Sequence, residues 1–206
     1  MRPPTRTSPV AALAAAALFL GACQGDDAEQ PPAQPSASPA AAGAPEAARV
    51  GAADSACTLP VTFGTAEDWT AKAVKMDEDD ELFAALAQRG PMTMACEVDA
   101  KPAGLIGFLR VWTGKTADPR AGLTAFIGDR ALKPVFTEVQ IGGQPGLEVV
   151  YEQKSQLDDE LEPERAFLVP TGKGLVTVSL DSFDSGEYED MLPAYELAKS
   201  SLKING

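Results

Sequence analysis

The sequence contains no histidine among its 206 residues. Histidine is the most common general base, a frequent metal ligand and the usual partner of a nucleophilic serine or cysteine. No phosphate-binding glycine loop and no Gly-x-Ser-x-Gly or Ser-x-x-Lys motif is present either. We therefore expect no catalytic residue, no metal site and no cofactor. Catalysis by a pair of carboxyl groups is the enzymatic alternative that remains open.

Basic residues are also scarce. The chain has 17 lysines and arginines against 30 aspartates and glutamates, which gives a formal net charge of −13. Such an acidic surface repels nucleic acid and anionic lipid headgroups. We therefore expect no nucleic-acid partner, and a basic patch cannot attach the protein to a membrane.

Long apolar runs are missing as well. Arg2 and Arg6 precede a short apolar run, Val10 to Leu20, which is followed by Gly21 and Ala22. A helix needs roughly 20 apolar residues to cross a bilayer, so this run is too short to span one. Basic residues, a short apolar run and small residues in this order are typical of a secretory signal peptide, which we predict over residues 1–22.

The four residues 20–23, Leu-Gly-Ala-Cys, resemble a bacterial lipobox. The resemblance implies that Cys23 carries diacylglycerol, that the chain is cut before it, and that the new N-terminus carries a further acyl chain such as palmitate. Two or three acyl chains bind a membrane stably, where one chain is marginal. The membrane would then be a partner, and the protein would lie at the extracytoplasmic face of the bacterial cell membrane. The alternative is a plain secretory signal that ends near a cysteine.

Residues 23–56 consist mainly of Ala, Pro, Ser, Gly and Gln and contain no aromatic residue. Such a segment buries too little apolar surface to offset its chain entropy, so we expect a disordered tether. The composition changes at Cys57. Residues 57–206 have the length of an ordinary domain and show no internal repeat or second linker, so we predict a single domain there.

Cys57 and Cys96 are the remaining thiols. Disulfides persist in exported proteins, so we expect these two cysteines to be bonded. Two buried free thiols are the alternative. A zinc site is disfavoured because two sulfurs without a histidine make a poor ligand set.

Hydrophobic periodicity and turn residues indicate an α+β domain with a mainly antiparallel sheet flanked by helices. Asp118 and Pro119 are an N-cap and a first helical residue. The alternation in residues 92–99 predicts a strand with Cys96 on a buried face beside Met94 and Val98. The strands are predicted at 59–63, 92–99, 105–112, 135–141, 147–153, 165–169 and 175–180, and the helices at 77–88, from 119 onward and at 187–202.

This order of elements, with Trp69 after the first strand and a closing amphipathic helix, resembles the PsbP-like fold. With the lipobox and the Pro/Ala-rich segment, the chain resembles actinobacterial lipoproteins of the LpqN/LpqT type. The resemblance covers roughly Leu59 to Ile204. It implies an α/β/α sandwich and a non-catalytic role, such as assisting the assembly of membrane complexes or contacting envelope proteins and lipids.

Aromatic residues make up only 6% of the chain. Trp69, Phe108, Trp112 and Phe136 are candidates for lining a ligand-binding cleft, because clefts are rich in aromatic rings. Phe108 and Trp112 share one face of a predicted strand. Packing in the core is the alternative interpretation of these residues.

Acidic residues cluster at 77–81 and again at 158–160 with Glu162 and Glu164. Several carboxylates could bind calcium, but neither cluster has the spacing of a calcium loop. We favour a solvated helix start for the first cluster and an exposed hairpin loop for the second. The sequence thus favours a non-catalytic binding or accessory lipoprotein, with a carboxylate-dependent hydrolase and a calcium-dependent interaction protein as alternatives.

Overall fold

A computed structural model describes residues 43–75, 81–115, 118–155 and 159–205 of the chain. They belong to one compact unit, Pro39–Gly206. The predicted signal peptide, the lipobox with Cys23 and the acids at 77–80 lie outside the described residues. In the described ranges, no helix has the length and apolar character needed to cross a membrane.

The described ranges form three α-helices and eleven β-strands. In chain order they are β1 (Ala48–Val50), β2 (Val61–Thr65), β3 (Thr70–Ala73), α1 (Glu81–Leu86), β4 (Gln88–Arg89), β5 (Met92–Asp99), β6 (Gly107–Gly114), α2 (Pro119–Ile127), β7 (Leu132–Ile141), β8 (Gln144–Lys154), β9 (Leu161–Thr171), β10 (Gly174–Ser182), α3 (Ser185–Ser201) and β11 (Lys203–Ile204).

The strands form two sheets. The large sheet has eight strands in the order β3-β5-β6-β10-β9-β8-β7, with β4 paired to β5, and the small sheet has the order β1-β2-β11. Neighbouring strands in both sheets run antiparallel. The predicted mainly antiparallel sheet with helices is confirmed. Strands outweigh helices, so the description as an α/β/α sandwich fits only loosely.

Side chains of the large sheet point alternately to two buried layers. On β9, Phe167 faces one core cluster, which includes Tyr195 of α3 and residues of β2. Its neighbour Leu168 faces a second cluster, which includes Leu123 of α2. We call these two sides of the sheet the α3 face and the α2 face. The central strands are therefore buried on both sides.

A β-bulge in β5 changes which face its residues occupy. The pairing with β6 shifts register between Met94 and Cys96. Met94 lies in the cluster of the α2 face, whereas Cys96 and Val98 lie in the cluster of the α3 face. The expectation that Cys96 lies beside Val98 is confirmed, and the expectation that Met94 lies with them is wrong. A bulge places two residues opposite one and so interrupts the alternation of faces.

The helices begin at residues that cap them. Asp118 accepts a hydrogen bond from the backbone N–H of Ala121 at 2.8 Å, which confirms the predicted start of α2. Asp184 accepts one from the N–H of Glu187 at 2.9 Å, so α3 begins slightly before the predicted position. Such caps satisfy N–H groups that have no partner inside the helix. Of the helix predicted at 77–88, the described residues form α1 only as far as Leu86; Gln88 belongs to β4, so the predicted end of the helix is wrong.

The longer strands agree with the predicted ranges within a few residues, and β5 has the predicted ends. Four short strands, β1, β3, β4 and β11, were not predicted. Each has two to four residues. Strands this short carry almost no periodic signal of their own, so their neighbours in the sheet determine them.

The folded part of the chain begins before Cys57. Val50 of β1 is 2% exposed and pairs with Phe63 of β2. Arg49 donates a hydrogen bond to the backbone carbonyl of Ser201 at 3.2 Å. The structure therefore differs from the expected tether over residues 43–56. Composition predicted a disordered segment there because the contacts that order it come from distant parts of the chain.

Cys57 and Cys96 form the expected disulfide, with their Cα atoms 5.9 Å apart. Both cysteines are buried in the cluster of the α3 face. The bond links the segment that follows β1 to strand β5 of the large sheet. It therefore fastens the N-terminal part of the domain to the central sheet.

Replacing both cysteines, as Cys57→Ser with Cys96→Ser, should lower the free energy of unfolding by about 3 kcal/mol, because the unfolded chain gains the freedom of an open loop. Urea denaturation at fixed pH measures the change. The unmodified protein in reducing agent should show a similar loss, and the double variant should not respond to reducing agent. Equal stability of the double variant and the oxidised protein would contradict this expectation.

Candidate functional site

Five charged side chains meet on the α2 face of the large sheet, beside the core that α2 covers. They come from five different strands, β4, β5, β6, β9 and β10. We call them the charged cluster, and its members are Arg89, Glu97, Arg110, Glu164 and Asp181.

Asp181 is the centre of this cluster. Its Oδ1 accepts a hydrogen bond from Nη1 of Arg89 at 3.4 Å, and its Oδ2 accepts one from Nη1 of Arg110 at 3.0 Å. Ser179 Oγ also donates to Oδ2, at 3.2 Å. Arg110 Nε donates to Glu97 Oε1 at 2.8 Å. The side chain of Asp181 is only 11% exposed, and these donors are its hydrogen-bond partners.

The two arginines rest on aromatic rings of the sheet and of α2. The guanidinium of Arg89 lies 5.2 Å from the ring centre of Trp112 and 5.3 Å from that of Phe126. The guanidinium of Arg110 lies 4.7 Å from the ring centre of Phe108. Cations are attracted to the faces of such rings. These contacts hold the arginines in place between the apolar core and the more exposed end of the sheet.

Nearby acids keep both arginines charged. Burial alone would lower the pKa of Arg89, but Asp181, with smaller effects of Tyr151 and Glu164, raises it. Burial would likewise lower the pKa of Arg110, and Asp181 and Glu97 raise it instead. Opposite charges at short distance favour the charged form, and here they outweigh desolvation.

Glu164 is the member of the cluster whose carboxyl group is not fully satisfied. Its Oε2 is buried and forms no hydrogen bond with any described residue. Burial, together with the charge of Asp181, raises the pKa of Glu164 to about 8, although Arg89 and Arg110 act in the opposite direction. Glu164 is therefore largely protonated at neutral pH. A buried carboxyl group with a strongly raised pKa is a frequent feature of functional sites.

Glu164 also lines a cleft of about 220 Å³. The exposed ring of Phe183 forms one side of this cleft. Glu162 in the cleft accepts a hydrogen bond from Ser185 Oγ at 2.9 Å. Lys154 in the cleft forms an ion pair with Asp159 at 2.7 Å. The other lining residues are Gln153, Ser155 and Ser182.

A second group of charges, on the α3 face, has a different character. Glu148 accepts hydrogen bonds from Tyr195 Oη and Lys199 Nζ, both at 3.0 Å. Glu196 accepts one from Arg165 Nη1 at 3.0 Å and pairs with Lys199. Both carboxyl groups are thus occupied by donors from the sheet and from α3. These contacts attach α3 to the sheet and leave neither carboxyl group available for a ligand.

A larger groove, of about 660 Å³, lies between the start of α2 and strands β7 and β8. Its charged residues already have local contacts, since Asp118 caps α2 and Arg120 lies 3.8 Å from the ring centre of Phe136. In the described part of the chain, no buried polar atom without a partner lines this groove. The cleft at Glu164 is therefore the stronger candidate site.

The aromatic residues considered from the sequence do not share one cleft. Trp69 is 9% exposed and packs in the cluster of the α3 face. Trp112 is 1% exposed and packs in the cluster of the α2 face, where its Nε1 donates to Ser179 Oγ at 3.0 Å. The packing of Phe108 against Arg110 brings it to the charged cluster. Phe108 and Trp112 thus both contact arginines of the charged cluster, and neither lines the cleft at Glu164.

In the second acidic cluster, Asp159 and Glu160 are exposed outside any strand, as predicted, whereas two other acids differ from their predicted place. Glu162 and Glu164 lie inside strand β9, so the interpretation of both as part of an exposed hairpin loop is wrong. In the described residues, no group of three or more acidic or cysteine side chains could hold a metal ion. Residues 77–80 lie outside the described ranges, so the solvated helix start favoured for that cluster stays a prediction, with calcium binding as its alternative.

Sequence reasoning missed four members of the charged cluster and misplaced Glu164. One signal was available in strand β6, where Arg110 stands between Phe108 and Trp112 with the spacing of a single strand face. A charged residue between two aromatic residues on a buried strand requires a partner. That signal predicts a buried ion pair, but it does not identify Asp181 as the partner.

Comparisons with known proteins relate the chain to lipoproteins. Residues 27–202 match a family described as "Uncharacterised lipoprotein". No curated protein shows significant similarity to the chain. The solution structure of cyanobacterial PsbP (CyanoP) from Synechocystis sp. PCC 6803 covers 84% of this chain and 100% of its own, with 14% identity and a TM-score of 0.47.

The raised pKa of Glu164 predicts how stability depends on pH. An unfolded glutamate titrates near pH ~4.3, whereas the folded group titrates at about 8, so the folded protein holds the extra proton between these values. The free energy of unfolding should therefore fall as pH rises through this window, by up to about 1.4 kcal/mol per pH unit. The chain has no histidine, so few other side chains titrate there.

Urea denaturation at several pH values measures this fall. Glu164→Gln should reduce it, because glutamine does not ionise. The matched control Glu138→Gln removes an exposed carboxylate from β7 and should keep it. The same pH dependence in the Glu164→Gln variant and the unmodified protein would show that Glu164 is not the titrating group.

Proposed function

The chain belongs to a family of uncharacterised lipoproteins, and from this premise we propose that Cys23 carries the lipid that anchors the domain to a membrane. The lipobox-like residues 20–23 and the preceding apolar run support this assignment. Two or three acyl chains are enough for stable anchoring. The domain would then lie at the extracytoplasmic face of the bacterial cell membrane.

We further propose that the domain is a binding or accessory module of the cell envelope and not an enzyme. The observation that carries this proposal is Oε2 of Glu164, a buried oxygen without a hydrogen-bond partner on a residue that lines the cleft. Buried polar groups are normally hydrogen-bonded, and an exception at a cleft indicates a place where a ligand supplies the missing partner. An envelope protein or a lipid headgroup could supply that partner.

The arrangement favours binding over hydrolysis by two carboxyl groups. Glu164 has the raised pKa of a general acid. The second carboxyl group of such an enzyme has to act as a nucleophile or a base. Asp181, the acid that most affects Glu164, accepts hydrogen bonds from Arg89, Arg110 and Ser179, so its oxygens are already engaged. The charged cluster therefore suits a recognition site better than a catalytic pair.

The closer assignment to actinobacterial lipoproteins of the LpqN/LpqT type stays a prediction. It depends on the order of strands and helices together with the lipobox and the Pro/Ala-rich segment. The observed order of elements is compatible with it.

Lipidation is tested by replacing the proposed attachment site. In cells fed labelled palmitate, Cys23→Ser should lose the label and leave the membrane fraction, because serine cannot form the thioether. The control variant Cys57→Ser with Cys96→Ser should keep the label, because these two cysteines are bonded to each other. Label that persists in Cys23→Ser, or a variant that stays in the membrane, would overturn the proposed anchor.

Binding at the cleft is tested by photocrosslinking in intact cells. A benzophenone amino acid in place of Phe183, which is 54% exposed at the cleft, should give a discrete crosslinked product. The same probe in place of Val135, which is 63% exposed on the edge strand β7, is the matched control and should not give that product. Identical patterns from the two positions, or no product from either, would contradict a macromolecular partner at this cleft.

A further inference from the structure

We propose that the cleft at Glu164 binds an organic cation, an alkylammonium or guanidinium group, which forms an ion pair with the Glu164 carboxylate. This inference rests on the proposed binding function of the same cleft and specifies the chemistry of its ligand. Such a group could be carried by a free amine or by a lysine or arginine side chain of a polypeptide.

The balance of charges favours a cation. With Glu164 ionised, the charged cluster contains three carboxylates and two guanidinium groups. Both arginines already pair with Asp181, and Arg110 also pairs with Glu97. Glu162 adds a further acid to the wall of the cleft. The remaining charge is therefore negative, and a cation restores the balance whereas an anion would meet an excess of acids.

The basic residue in the lining of the cleft does not supply that cation. Lys154 forms its ion pair with Asp159, and both side chains are largely exposed, at 60% and 81%. Within the described residues, Oε2 of Glu164 has no hydrogen-bond donor. Burial of this oxygen without a donor disfavours the ionised form, so Glu164 takes up a proton instead. A bound cation replaces that proton.

The size and walls of the cleft fit a small cationic group. Its volume of about 220 Å³ lies below the roughly 300–1,000 Å³ of ordinary small-molecule sites, so it can take a side chain or a short amine. The exposed ring of Phe183 provides an aromatic wall, and cations bind favourably against such rings. Gln153 and Ser182 offer oxygen atoms that can accept hydrogen bonds from the N–H groups of the cation.

Release of a proton is the diagnostic property of this site. Before binding, Glu164 holds a proton, and the ion pair requires the carboxylate, so the proton leaves to the buffer as the cation enters. The charged and titratable groups that face Glu164 or line its cleft are Asp181, Arg89, Arg110, Glu162, Tyr151, Tyr188 and Lys154. The arginines and Asp181 keep their mutual ion pairs throughout. At pH ~7, binding should therefore release about one proton per cation.

Isothermal titration calorimetry of the full-length lipidated protein in non-ionic detergent tests the inference. The two probes are agmatine and a blocked glycine-serine peptide with a single arginine, each titrated at pH ~7 in two buffers of different ionisation enthalpy. The observed heat should differ between buffers by the amount expected for about one released proton. A response to agmatine alone indicates a free amine as the ligand, and a response to the peptide indicates a polypeptide. Either supports the proposal.

Three controls make the result specific. Glu164→Gln should bind at least tenfold more weakly and release no proton, while Glu138→Gln should bind as the unmodified protein does. The same peptide with citrulline in place of arginine lacks the charge and should not bind. Equal binding of the citrulline peptide, heat that does not depend on the buffer, or no binding of either probe would overturn the proposal.

The crosslinking experiment at Phe183, combined with the titration, shows whether the cationic ligand or the proposed macromolecular partner is wrong. A specific crosslinked product together with no proton release in the titration would retain a binding function and overturn the cationic ligand. Absence of that product together with proton-coupled binding of agmatine would support a small amine as the ligand and overturn a macromolecular partner at the cleft.

Discussion

Strand β10 lies at the middle of the large sheet, and both of its faces are buried. Its residues from Leu175 to Leu180 are shielded from solvent on either side. An unpaired charge on either face would lose its hydration without compensation. The first charged residue of the strand is Asp181, near its end, where it accepts hydrogen bonds from Arg89 and Arg110. Burial of the central strand on both faces thus determines where charges can gather.

The neighbouring strands follow the same constraint. Asp181 stands opposite Phe108 of β6, and Ser179 stands opposite Arg110, so the guanidinium group reaches the carboxylate across the strand pair. On the other side of β10, Leu180 stands opposite Arg165 of β9. Glu164 and Asp181 are the next residues of these two strands, so they lie side by side. The register of the sheet therefore brings the members of the charged cluster together on the α2 face, beside the apolar core that α2 covers.

Local features of this fold were predictable from the sequence, and features that depend on register were not. The ends of β5 follow from alternation, the start of α2 from Asp118, and the disulfide from counting thiols in an exported domain. The pair of Arg89 and Asp181 joins residues 92 positions apart. The bulge in β5 and the pairing of β1 with β2 likewise depend on contacts between distant segments. Hydrophobic periodicity carries no information about which strands become neighbours.

The position of Glu164 lowers the stability of the folded domain. An apolar side chain of similar size avoids the cost of a buried carboxyl group, and such replacements often leave a protein equally or more stable. Glu148, by contrast, accepts hydrogen bonds from two donors, which offset the cost of burying its carboxylate. Residues that reduce stability in this way are typical of sites that bind or react. In a chain without histidine, a carboxyl group whose pKa lies at about 8 can change charge near neutral pH, which is the property that histidine commonly provides.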